Sequence, residues 1–96
     1  MNYGETFKQI RMHVVQDGQS AFAKSLGITQ SYLSLVENDK KKPSIDLLER
    51  LANRCQIPLS VLLLETIIEK DIPDHKREEY EKMKPRIRKL IKLFLN

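Results

Sequence analysis

Gln30, Ser31, Ser34 and Leu35 fall within a six-residue span and carry side chains suited to the edge of a nucleic-acid base. A glutamine amide can form paired hydrogen bonds to N6 and N7 of adenine. Serine hydroxyls make undemanding hydrogen bonds to several bases. A leucine here either contacts a thymine methyl or lies on the surface of its own domain, as single apolar residues commonly do. Tyr32 faces sideways by helical spacing, so its hydroxyl reaches a phosphate or its ring packs on the surface. Lys40, Lys41 and Lys42 follow directly along the chain and are cations of the kind that hold phosphate oxygens. Lys8 and Lys24 are lesser candidates of the same type.

Catalytic chemistry has no comparable set. His13 and His75 stand far apart in sequence, and no cysteine joins them in a metal-ligand spacing. There is no glycine-rich phosphate loop and no nucleophile elbow. Cys55 is the single cysteine, so an intrachain disulfide is impossible. Its neighbours Leu48, Leu51 and Ala52 place it on an apolar helix face as a small core residue. The expectation is a non-enzymatic chain with no metal and no cofactor.

The base-facing residues need a helix that stands proud of its domain. Phe22, Ala23 and Leu26 share one face of a helix over about 19–26. Gly27 then supplies the left-handed conformation that ends it. Ile28 plugs the corner, and Thr29 caps a second helix over about 30–37, whose buried stripe is Leu33 and Val36. Ala23 lies where the two helices approach most closely. This is the spacing of a helix-turn-helix, a geometry that offers its second helix to a DNA major groove. A first helix is expected over about 5–15, with Phe7, Ile10 and Val14 as its core face. Asn38 suits the left-handed position after the second helix of the motif. Ser44 caps a fourth helix with Ile45, Leu48, Leu51, Ala52 and Cys55 as its stripe, and Asp46 complements its dipole. Pro58 opens a fifth, running to about Lys70.

From about Phe7 to Leu64 the chain resembles the lambda-repressor/Cro type of helix-turn-helix domain, the XRE family. The resemblance rests on Gln19, Ala23, Gly27, Leu33 and Val36, then Glu37-Asn38, and Pro43-Ser44 at the start of a further helix. It implies an all-α, five-helix lambda-repressor-like domain over residues 1–70. It also implies that Gln30 reads bases with Ser31, Ser34 and Leu35. Gln19 would bond a backbone phosphate and buttress Gln30, a place where the free N–H groups of a helix start favour phosphate as well. Asn38, Thr29, Tyr32 and the three lysines would complete the phosphate contacts. Arg11 and Glu37 resemble a family ion pair joining the first helix to the end of the third. Two departures stand out. The segment between Arg11 and Gln19 is one residue longer than the family pattern, and Asp39 occupies a position often held by glycine.

Ninety-six residues suit one small domain with an appendage, and the net charge of +4 permits nucleic acid as a partner without demanding it. The N-terminal segment lacks the apolar run of a signal peptide, and the longest apolar stretch is too short to span a bilayer, so a cytoplasmic location is expected. Residues 71–96 form an amphipathic helical tail. Tyr80, Met83, Ile87, Leu90, Ile91 and Phe94 share a stripe, and Asp74 reads as its N-cap. Pro85 divides it into two expected pieces, 74–83 and 85–95. The tail has seven acids and three bases over 65–81, then six bases and no acid over 82–92. Either two copies pair antiparallel, acidic half against basic half, or the charges form a solvated face.

The function these features imply is a sequence-specific transcriptional regulator, a bacterial or phage repressor that binds a double-stranded DNA operator as a homodimer. The alternative is a protein-interaction module or antitoxin on the same fold, whose tail binds a partner protein. A third reading makes Lys82–Asn96 a basic helix at a membrane surface.

Overall fold

Phe7, Phe22, Leu33, Leu51 and Leu62 are fully buried and meet in one core, one residue from each of five successive helices. The computed structural model describes residues 1–95; Asn96, the end of the expected tail, lies outside them. The helices are α1 (Tyr3–Gln9), α2 (Gln19–Ser25), α3 (Gln30–Glu37), α4 (Ile45–Cys55), α5 (Leu59–Thr66) and α6 (Arg77–Leu95). A π-helical turn (Ile10–Val14) extends α1, and two short 3₁₀ turns (Glu69–Asp71 and Asp74–Lys76) join α5 to α6. No strand occurs among the described residues, so the chain is all-α.

The helix-turn-helix forms as its residues dictate. Gly27 adopts the left-handed conformation at φ 72°. Ala23 is buried, and its carbonyl accepts from the Ile28 N–H at 3.0 Å, closing the corner. The Thr29 and Ser44 hydroxyls each accept from a first-turn N–H, of Tyr32 and Leu47, both at 3.1 Å.

The π-helical turn accounts for the extra residue before Gln19. Its bonds reach one residue further than those of an α-helix, as in Val15 N–H to the Ile10 carbonyl at 3.0 Å. The wider turn rotates the side chains beyond it. Val14, expected in the core, is exposed, and Val15 packs against the core in its place.

Four further expectations are corrected. Asn38 is not left-handed; Asp39 is, at φ 58°. Its carboxylate accepts from the Gly4 N–H at 3.2 Å, so the residue that departs from glycine satisfies a free donor in the first turn of α1. Ile45 is 69 % exposed, because the stripe of α4 is carried by Leu47, Leu48, Leu51 and Ala52. α5 stops at Thr66, whose carbonyl accepts from Asn2 N–H at 2.6 Å and whose hydroxyl donates to the Leu63 carbonyl. Finally, α6 runs unbroken through Pro85 and starts at Arg77, with no capping bond from Asp74. Pro85 is exposed, so water can reach the Glu81 carbonyl whose partner it removes.

α1 and α3 approach closely at Gly4. A Cβ there would stand 2.8 Å from the carbonyl oxygens of both Val36 and Glu37. Backbone cannot yield cheaply, so Gly4→Ala should destabilise the domain by roughly 1–3 kcal/mol. Thermal unfolding of the variant beside the parent checks this; an unchanged midpoint would mean that α1 shifts freely on α3.

Candidate nucleic-acid interface

α3 is held from one side and open on the other. Leu33 and Val36 are fully buried, while Gln30, Ser31 and Leu35 are exposed and Ser34 half-buried. The structure brings these four together with Gln19 around one shallow concavity. All four base-reading candidates therefore lie on one accessible face of α3. Leu35 is 44 % exposed, on the rim of that concavity rather than folded onto the core.

A buried carboxylate fixes this face. Glu37, at the last turn of α3, accepts from Arg11 Nε at 2.8 Å, Arg11 Nη2 at 3.1 Å and Gln19 Nε2 at 2.9 Å. Arg11 also donates to the Asp17 carbonyl at 3.2 Å. Charge-assisted, bidentate bonds of this kind fix direction as well as distance. One carboxylate thus ties the π-helical turn, the start of α2 and the end of α3 to each other. The wider turn keeps Arg11 aimed at Glu37 despite the longer segment that follows it.

The share of Gln19 in this cluster was not legible. Its amide nitrogen is held by Glu37, and it forms no hydrogen bond to Gln30 among the described residues. What it offers to a phosphate is its remaining amide hydrogen and the backbone N–H groups at the start of α2. The signal in the sequence was Glu37 itself, an acid in an otherwise apolar register beside Val36, which needs donors once buried.

The remaining phosphate candidates surround the same helix. The Lys40 and Lys41 N–H groups both donate to the Leu35 carbonyl, at 2.8 and 3.2 Å, folding the loop over the end of α3. Lys41 lies 5.4 Å from the centre of the Tyr32 ring, and Lys42 5.9 Å from that of Tyr3. All three lysines are exposed, and none has an ion-pair partner among the described residues. Tyr32 is half-buried against the core, so it shapes the loop through Lys41. The Asn38 amide donates to the Ser34 carbonyl at 2.8 Å and to its hydroxyl at 3.3 Å, ending α3. Thr29 spends its hydroxyl oxygen on the cap of α3 and keeps its O–H free to donate.

The tail candidates divide between two faces of α6. Ile91 is buried, and Ile87 and Leu95 pack against the core beside it. Tyr80 is half-buried. Met83, Leu90 and Phe94 remain exposed on the outer face. Cys55 packs against the core as expected, and burial pushes its thiol pKa up, with Arg54 opposing. His13 and His75 are both exposed. No described helix is long and apolar enough to cross a membrane.

Comparison with known proteins agrees with this geometry. Residues 19–62 match a protein-family model described as helix-turn-helix, which spans α2 to the first half of α5. Neither the curated proteins nor the solved structures yield a match. Domains of that family bind DNA in regulators. The matched segment, the left-handed Gly27 corner and the exposed polar face of α3 coincide: residues 19–62 carry a helix-turn-helix of the DNA-binding kind, similar to the lambda-repressor/Cro type, the XRE family.

Proposed function

We propose that the chain is a sequence-specific repressor that binds its operator as a homodimer. Residues 1–70 form the reading unit, and residues 71–96 contribute the contact between copies. α3 enters the major groove with Gln30 and Ser31 leading and Ser34 and Leu35 following along the same face. Gln19, Thr29, Tyr32, Asn38 and the lysines at 40–42 flank it and fix register on the phosphates. The observation that supports this reading best is the exposed set of Gln30, Ser31, Ser34 and Leu35 on a helix whose opposite face is fixed by Leu33, Val36 and Glu37. Repression then follows from occupancy of the operator. Two half-sites about one helical turn apart, roughly 34–36 Å, match a two-fold dimer.

Selection of binding sites from a random DNA pool tests the reading. A motif with two-fold symmetry is expected. Gln30→Ala should weaken specific binding by roughly 1–3 kcal/mol and relax the preference at one base pair per half-site. An unchanged selected motif would remove Gln30 from base reading.

A further inference from the structure

α6 crosses the end of α5 and the π-helical turn, and a cavity of about 450 Å³ lies between the three. That volume falls within the roughly 300–1,000 Å³ typical of small-molecule sites. Its walls are chemically two-sided. Ile10, Leu64, Ile87 and Ile91 give it an apolar floor. Lys84, Arg88 and Lys92, from three successive turns of α6, line the rim, with His13 facing them from the π-helical turn. Glu65, at the end of α5, is the one carboxylate in the lining.

The rim cations are unequally engaged. Lys84 pairs with Glu81 at 3.6 Å and lies 5.8 Å from the centre of the Tyr80 ring. Arg88 and Lys92 have no ion-pair partner within 4 Å among the described residues, although the Arg88 guanidinium acts on Glu65 from further away. Burial raises the Glu65 carboxyl above the usual range, and Arg88 opposes that shift. Arg88 and Lys92, one helical turn apart and both exposed, thus overlook an apolar floor without a close ion pair among the described residues.

We propose that this cavity binds a small amphipathic carboxylate, its alkyl chain on the isoleucine floor and its carboxylate against Arg88 and Lys92. A cationic ligand would meet like charge at the rim. A neutral alkyl chain would gain nothing from the two cations, and a fully polar anion would gain nothing from the floor. The site shares no residue with the concavity around Gln30 and is independent of DNA reading.

The test is calorimetric titration of the full chain, without DNA, with octanoate, octanol and octylammonium. Octanoate should bind saturably with a Kd below about one millimolar, and octanol roughly tenfold more weakly. Octylammonium should not bind. The Arg88→Gln, Lys92→Gln variant should bring octanoate down to the affinity of octanol; both side chains are exposed, so the fold should survive. Ile87 and Ile91 methyl resonances should move with octanoate. Absence of saturable octanoate binding, equal affinity for octanoate and octylammonium, or unmoved Ile87 and Ile91 methyls would each overturn the proposal.

Discussion

Glu37→Ala should be the most damaging single substitution in the helix-turn-helix, lowering stability by roughly 3–5 kcal/mol. The Glu37 side chain is 3 % exposed and that of Arg11 14 %. Removing the carboxylate leaves the guanidinium charge largely out of water with only the Asp17 carbonyl as a hydrogen-bond partner. It also releases the Gln19 amide. A one-sided loss of this kind costs more than the pair itself is worth. For a domain of this size each kcal/mol corresponds to roughly 4–8 °C in Tm, so a fall of tens of degrees is expected by calorimetry. Glu37→Gln should cost less, because its amide oxygen still accepts from one donor. If Glu37→Ala unfolds within a few degrees of the parent, water or a shifted Arg11 compensates, and the cluster does not organise the motif.

That cluster also marks how far the sequence could be read. Its members lie 26 and 18 residues apart. The pairing of Arg11 with Glu37 was accessible only through family resemblance, and the third partner was not accessible at all. Local signals fared better. The period of Phe22, Leu26, Leu33 and Val36, the Gly27 corner and the Thr29 and Ser44 caps depend on neighbours within a few residues, and each appears in the structure.

Failures arose where a distant contact overrode local pattern. The π-helical turn exchanged Val14 for Val15, a change that strict 3.6-residue spacing cannot show. Gly4 has no turn to signal it; its need for a missing Cβ comes from carbonyls at Val36 and Glu37. α5 ends where the Asn2 N–H meets the Thr66 carbonyl, a contact across most of the chain. Pro85 reads as a break in the sequence because local pattern does not show that its face of the helix is exposed. Of the candidate site, the residues of α3 were legible because one helix carries them. How Gln19 is held was not, because that depends on where three elements meet.

The tail yields the second large effect. Met83, Leu90 and Phe94 are 45 %, 42 % and 42 % exposed and recur at seven and four residues, so they share one face of α6. Ile87, Ile91 and Leu95 hold the inner face against the domain. Deleting the tail would therefore strip Ile91 from the core and confound folding with assembly. Leu90→Glu with Phe94→Glu avoids this, because both side chains project outward. The charges along the helix favour an antiparallel partner. Beside this outer face Glu79 lies near the start of the helix, and Arg86 and Lys89 lie towards its end. The expected result is a dimeric parent and a monomeric double variant by sedimentation at micromolar concentration, with Tm little changed. Operator affinity should fall roughly a hundredfold or more, since each half-site is then bound without help from the other. A parent that sediments as a monomer would remove the homodimer and leave the outer face of α6 for a different protein.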